Sequence, residues 1–302
     1  MKVDITALNL LTIDCIYSEL DRLPGLGEEI STPHLRLALG GGPVAALVAA
    51  SRLGARVRLA TSLGTDRFSE IARDFLAQEH LPYQSFDAAL HAGSSPVNVT
   101  SVMSLKGSDR SFISYFPDTD FYTSPSEEVF QALREGAYCV TIAPNADLFR
   151  RLKAAGCRVA YDVGWSDDLN VEAMADILSS VYLFTPNEKE ALKLTGAGDA
   201  QTALLQLKKY VENPIVKLGK DGAIFLQGDE IVHCPPFDFS AIDTTGAGDA
   251  FLGGVLYGLS QGWDMMRCVR LGNYTGGKAT TGIGCMTARP SMQEYEALCR
   301  QI

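Results

Sequence analysis

Asp243-Thr244-Thr245-Gly246-Ala247-Gly248-Asp249-Ala250-Phe251 is the stretch on which the reading of this chain turns. It follows the apolar run 239–242 and opens a segment rich in small residues, Ala250, Gly253, Gly254 and Gly258. Small residues at 246–248 leave backbone N–H groups approachable where a helix begins. Such an end carries unpaired donors and a partial positive charge, a setting for phosphate. Asp249, in the first turn, is placed to take a proton from a hydroxyl nucleophile while those N–H groups offset the charge of a transferring phosphoryl group. The plainer account is a Thr-capped helix with an acid favoured by the dipole. The pentapeptide Gly-Ala-Gly-Asp-Ala does not decide by itself, because it occurs at 196–200 and again at 246–250, each time after a threonine. Context separates the copies. The first closes one helical stretch and opens another of ordinary polar composition, as a helix–helix turn does. Only the second has Asp243 upstream and a small-residue helix downstream.

Outward from this segment, apolar β-branched runs alternate with stretches of helical period. Strands are expected over 3–8, 57–62, 138–143, 158–163, 181–185 and 214–218. Helices are expected over 44–53, 67–79, 126–134, 146–155, 171–179 and 200–211. That alternation implies parallel strands joined by right-handed crossovers, hence an α/β fold of three layers with a mostly parallel central sheet. After Leu218 the pattern becomes a hairpin, 223–227 and 230–234, and then long helical stretches including 265–281. Two excursions break the rhythm. Residues 15–39 contain Leu23-Pro24-Gly25 and no helical period; residues 95–116 read as a β-hairpin with arms 97–102 and 111–116 about a polar turn at 106–110. Both suit either a small β-structure beside the main sheet or ordinary surface excursions.

With 302 residues, one cored domain is favoured, and 46% hydrophobic against 21% charged residues excludes disorder as the main state. A net charge of −10 argues against a nucleic-acid partner, which needs a basic surface. The apolar stretch between Arg36 and Arg52 contains glycines and a proline and is too short for a membrane helix, so no membrane partner is expected. The N-terminus lacks the pattern of a secretory signal. Seven scattered cysteines without a C-x-x-C pair, and four histidines, provide neither a disulfide framework nor a zinc site. A reducing, cytoplasmic location is expected. No G-x-G-x-x-G follows the first strand, which argues against a nicotinamide-dependent dehydrogenase.

The Asp243–Phe251 string resembles, residue for residue, the C-terminal signature of the ribokinase-like carbohydrate kinases, the PfkB family. The resemblance runs over nearly the whole chain. Residues 8–14 look like the family's first strand and turn, which implies that Asp14 bonds sugar hydroxyls. Gly40-Gly41-Gly42-Pro43 and the stretch 44–54 resemble its glycine signature and following helix, which implies substrate contacts at Gly41 and Gly42. Leu63-Gly64-Thr65-Asp66 resembles its next strand-end turn. Asn187-Glu188-Lys189-Glu190 matches the N-x-x-E motif, which implies that Asn187 and Glu190 organise Mg²⁺ and phosphate, usually through water; the same string is also a helix capping box. Lys217-Leu218-Gly219-Lys220-Asp221-Gly222 resembles the strand and turn along the nucleotide phosphates, so Lys217, Gly219 and Gly222 are expected there. Asn273 is expected near the adenine by analogy, though an exposed helical Asn is the default.

The resemblance further implies a ribokinase-like fold with a β-lid formed by the two excursions. It implies ATP-dependent phosphorylation of a hydroxyl on a small sugar or sugar-like metabolite, with Asp249 as general base and Gly246, Ala247 and Gly248 as anion hole. A nucleoside or sugar-phosphate kinase and a non-catalytic sensor on the same fold are the alternatives; Arg110 would supply one charge for a substrate phosphate. Some relatives hold K⁺ beside the anion hole, where Asp243, Thr245 and residues 282–291 would contribute. Exposed lid strands would pair two subunits as a homodimer. One departure stands out. Where the family's glycine signature usually places an Asn that touches sugar hydroxyls, this chain has Ala45, with Ala46 beside it. A similar Asn-less version occurs in the family's sulfofructose kinases. A missing carboxamide alters which hydroxyl pattern can be satisfied.

Overall fold

The structure, a computed structural model, describes residues 3–88, 90, 94–106, 110–164 and 166–300. The strands are β1 (Val3–Leu8), β2 (Thr12–Leu20), β3 (Leu35–Gly40), β4 (Val57–Thr61), β5 (Tyr83–Ser85), β6 (Asn98–Leu105), β7 (Arg110–Tyr115), β8 (Gly136–Thr141), β9 (Arg158–Tyr161), β10 (Val181–Phe184), β11 (Asn213–Lys217), β12 (Ala223–Gln227) and β13 (Glu230–Cys234). They form a nine-stranded sheet in the order β13-β12-β11-β10-β9-β8-β1-β4-β5 and a four-stranded sheet in the order β3-β2-β6-β7. The large sheet is parallel from β11 to β5 and ends in the antiparallel β12–β13 hairpin.

The helices are α1 (Gly42–Arg52), α2 (Arg67–Gln78), α3 (Glu127–Leu133), α4 (Ala146–Ala154), α5 (Ala175–Leu178), α6 (Glu188–Thr195), α7 (Ala200–Leu207), α8 (Ala247–Ser260), α9 (Met265–Ala279) and α10 (Met292–Cys299). Strand residues alternate between two cores. Ile5, Ala7, Tyr138, Val140, Ala160 and Ile215 point to one, shared with α1, α2, α8 and α9. Leu8, Cys139, Val159, Tyr161 and Val216 point to the other, shared with α3, α4, α6 and α7. Burial on both faces is why these strands read as continuous apolar runs. Each buried aliphatic side chain contributes about 1.5–3 kcal/mol. The small residues of α8 do what their size allows: a Cβ on Gly253 would strike the Ala46 carbonyl of α1, and one on Gly254 would strike Thr275 of α9. The Thr275 hydroxyl also donates to the Ala250 carbonyl at 2.7 Å, tying α9 to α8.

The two excursions are the small sheet: β2 and β3 flank the Leu23-Pro24-Gly25 stretch, and β6 and β7 are the expected hairpin. Residues 107–109 of its turn lie outside the described residues. Two expected helices are shorter than their apolar period suggested. Of 171–179 only Ala175–Leu178 is helical; its leading residue Met174 gives no side-chain cap. Of 200–211 the helix keeps Ala200–Leu207, followed by a turn in which the Lys209 N–H reaches the Gln206 carbonyl at 3.1 Å. The expected strand 158–163 ends at Tyr161, and β5 was not anticipated.

Candidate active site

The N-terminus of α8 is set by Gly246, whose φ of +75° is left-handed and whose missing Cβ leaves room for Cys285. The N–H groups at Gly246, Ala247 and Gly248 stand at the start of this helix, and Asp249 lies in its first turn. A second helix begins opposite. Gly42 opens α1, and a Cβ there would lie 2.5 Å from Asp249 Oδ1, so only bare backbone fits against that carboxyl. On the other side a Cβ at Gly248 would lie 2.7 Å from Lys217 Nζ. Lys217 ends β11; its N–H donates to the Pro186 carbonyl at 3.0 Å, which brings it beside Asn187.

Burial first, and the charges of Asp162 and Glu190 with it, push the Asp249 carboxyl up to about 7 against the pull of Lys217. A carboxyl titrating near neutrality is matched to general-base work. Glu190 is buried on α6 and is likewise raised, by desolvation first and by Asp162 among its neighbours. It also closes a reciprocal capping box: the Asn187 N–H donates to Glu190 Oε2 at 2.8 Å, and the Glu190 N–H donates to Asn187 Oδ1 at 3.0 Å. The capping role and a place beside the phosphates are compatible, because the same turn faces Lys217 and Asp249.

Asp14 approaches from the small sheet. Its neighbours in register are Ala38 on β3 and Thr100 on β6, and Thr100 faces Ser114 on β7. Directly opposed residues share a face. That face therefore carries Asp14, Thr100 and Ser114, with Thr12 and Asn98 in the next row but one. The Asn98 amide donates to Thr12 Oγ1 at 3.2 Å, and the Thr100 and Ser114 hydroxyls are 3.1 Å apart. Two arginines on the same face reach the main body: Arg36 donates to the Ile283 carbonyl at 3.1 Å, and Arg110 pairs with Asp243 at 2.9 Å. The small sheet thus lies down over the α8 N-terminus. Burial raises Asp14 to about 6. Cys285, between the two parts, is pushed up to about 12 by burial and by Asp249, Asp14 and Asp243.

Asp243 is the hub of the loop before α8. Its Oδ1 accepts from the Thr245 N–H at 2.9 Å and the Thr245 hydroxyl at 2.6 Å, and its Oδ2 accepts from the Gly284 N–H at 2.8 Å. Arg110 also donates to the Thr245 hydroxyl.

The remaining expected residues have other surroundings. Gly222 has φ +86° and packs so closely on the Cys234 carbonyl that a Cβ would collide with it, whereas Gly219 (φ +61°) has open space around it. Gly41 (φ +103°) stands against the buried Asn9, whose Oδ1 accepts from the Tyr122 hydroxyl at 3.2 Å. Asn273 is not exposed: it is buried, and its amide donates to the Cys234 and Pro235 carbonyls at 2.9 and 3.0 Å, fastening α9 to the end of β13. The sequence alone does not single out Asp162 or the lid residues Thr12, Asn98, Thr100 and Ser114. Asp162 had a signal, an acid at the carboxyl end of a parallel strand, where open α/β sheets bind ligands.

Fold and site together define a small-molecule kinase. The sequence profile described as pfkB family carbohydrate kinase matches residues 2–292, and the chain belongs to that family. Among its relatives, the deoxyribokinase of Salmonella typhi is 25% identical over 311 residues, covering 97% of each chain. The fructokinase of Klebsiella pneumoniae is 28% identical over 303 residues, covering 92% of this chain and 95% of its own. The Arabidopsis thaliana ribokinase complexed with ribose and ATP has a TM-score of 0.84 over 99% of both chains at 21% identity, a likeness of fold.

Proposed function

We propose that this chain transfers the γ-phosphoryl group of ATP to a hydroxyl of a small sugar or sugar-like metabolite, with Asp249 as the base. The observation that carries the reading is the position of Asp249, set against the backbone of Gly42 and within the field of Lys217 at the mouth of the α8 N-terminus. The acceptor lies between Asp14 and the Gly41–Gly42 backbone, under the polar face of the lid. Asp249 takes the hydroxyl proton as the acceptor oxygen bonds to phosphorus. The bond to the bridging oxygen breaks and ADP leaves with its electrons. The N–H groups at Gly246, Ala247 and Gly248 and the Lys217 ammonium offset the charge that develops on the phosphoryl oxygens. The lid excludes water, the competing acceptor.

The donor set fits Mg²⁺ held through water. Among the described residues no group of three or more His, Cys, Asp or Glu is arranged to hold a metal ion directly, and Mg²⁺ commonly keeps several of its waters. Asp162, Glu190 and Asn187 are the residues that would hold its hydration shell, and the bound ion would neutralise phosphate charge.

ADP release with Mg-ATP across sugars, sugar acids, sulfosugars, sugar phosphates and nucleosides tests the reading, with Asp249→Asn as control. Turnover lost in the control supports it; turnover that survives removes Asp249 from the base role. Arg110 is the charge that the sequence offers to an acceptor phosphate. It is engaged with Asp243, which favours an unphosphorylated acceptor. An intact base and anion hole argue against a non-catalytic sensor.

The second face of the lid supports a homodimer. Leu35, Leu37, Tyr17, Ile113 and Tyr115 are exposed there, in a sheet whose outer strands β3 and β7 pair with no further strand among the described residues. A second copy offering the same stripe buries it isologously. Light scattering on Ile113→Asp, expected to give monomers, checks this. No helix among the described residues is long and apolar enough to cross a membrane. The seven cysteines are all free thiols, which supports a reducing, cytoplasmic setting.

A further inference from the structure

Arg110 is carried by the lid, at the start of β7, yet its guanidinium is 2.9 Å from Asp243 Oδ1 and bonds the Thr245 hydroxyl, in the loop that leads into the anion hole. Arg110 and Asp243 are largely shielded from solvent, with side-chain exposures of 27% and 17%. The other groups on Asp243 are the N–H and hydroxyl of Thr245 and the N–H of Gly284, none of which carries a charge. An unneutralised carboxylate here would oppose the approach of a phosphate to N–H groups only a few residues further on, because charges in a dry cleft are poorly screened. Asp14, Asp162, Glu190 and Asp249 already make the cleft acidic, with Lys217 set against them.

We propose that Arg110 is a positioning residue for phosphoryl transfer: lowered with the lid, it neutralises Asp243 and pins Thr245, so the hole at Gly246–Gly248 is completed in the closed state. The inference rests on the kinase reading above. It goes beyond that reading by assigning to the lid a charge that the transfer step requires.

The test uses the acceptor from the panel that the native chain turns over, with Mg-ATP. Arg110→Ala should lower kcat about 100-fold, the scale of a displacement of about 1 Å in the groups it positions, while KM for ATP stays within about threefold. Added guanidinium ion should restore part of kcat, and Arg110→Lys should retain more than Arg110→Ala. Neutralising the partner should also help, so Arg110→Ala with Asp243→Asn should exceed Arg110→Ala alone. Melting temperatures show which variants are folded, and guanidinium rescue of a folded variant is a readout that mere structural support would not give. Native-like kcat in Arg110→Ala overturns the proposal, as does a loss confined to KM for the acceptor, which would make Arg110 a substrate reader. Native activity that survives Asp249→Asn, or no turnover by the native chain, instead overturns the reading beneath it.

Discussion

The carboxyl of Asp249 rests on the backbone of Gly42, with Oδ1 2.5 Å from where a Cβ would stand. Two helices from distant parts of the chain, α1 and α8, are joined at this point, and the fit leaves no room for a methyl group. Gly42→Ala should therefore displace the base without unfolding the protein. A shift of about 1 Å in a catalytic group costs on the order of 100-fold. The expected outcome is kcat lowered about 10- to 100-fold with KM for ATP little changed and the melting temperature within a few degrees of native. Steady-state kinetics and a thermal scan check it, and unchanged kcat would show that the carboxyl is not held where the structure has it.

The elevated Asp249 carboxyl has two consequences of opposite sign. As a base it must be ionised, so kcat/KM should fall tenfold per pH unit below about 7 and level off above it. For stability the native state holds a proton that the unfolded chain has already released between the ordinary carboxylate value of 3.8 and about 7. Stability from this group is thus fully present at low pH and is lost as pH rises through 7. Asp249→Asn should abolish turnover yet raise the melting temperature at pH 8, by a few degrees, and change it much less at pH 5. Calorimetry of both proteins at the two pH values decides this. Equal melting temperatures at pH 8 would mean that the carboxyl is not strained by burial.

Why some of this was legible and some was not can be seen in the twin pentapeptides. Gly196 and Gly246 have nearly the same left-handed backbone, φ +69° and +75°. Gly196 has open space around it, while Gly246 is pressed by Cys285 from a distant loop. Asp199 caps α7 by accepting from the Thr202 N–H at 2.8 Å, one position before its helix, whereas Asp249 lies inside the first turn of α8. Identical residues thus take different stations, and only the flanking sequence told them apart. Features encoded over a few neighbours were readable: the β12–β13 arms, the capping box at Asn187 and Glu190, the alternation that sets the sheet. Asp162 was not, since a lone strand-end acid gains meaning only when crossovers bring the end of β9 within the field of Glu190 and Asp249 at the starts of α6 and α8. The polar lid row was hidden for a similar reason: Asp14, Thr100 and Ser114 share a face through strand register across long separations. The burial of Asn273 is not legible in the sequence because the carbonyls it bonds belong to another element.

That row predicts where acceptor specificity lies. With Ala45 buried in α1 where the family usually has Asn, Thr100 and Ser114 are the hydroxyls that share a face with Asp14 and would meet an acceptor bound there. Thr100→Val and Ser114→Ala each remove one hydrogen-bonding group, worth about 0.5–1.5 kcal/mol. KM for the acceptor should rise about 2- to 12-fold in each, with KM for ATP unchanged. A change in KM for ATP instead would place the row on the nucleotide side.

Glu190 separates a metal role from a capping role. Its Oε2 accepts from the Asn187 N–H at 2.8 Å, a bond that a glutamine oxygen can also accept, while its charge is what the hydration shell of Mg²⁺ would feel. Glu190→Gln should leave the melting temperature near native and raise the Mg²⁺ concentration for half-maximal turnover about tenfold. Asn187→Ala should do something different: loss of the cap costs about 1 kcal/mol, visible in urea unfolding. If Glu190→Gln melts early and shows native Mg²⁺ dependence, the residue holds the helix and has no part in holding the metal.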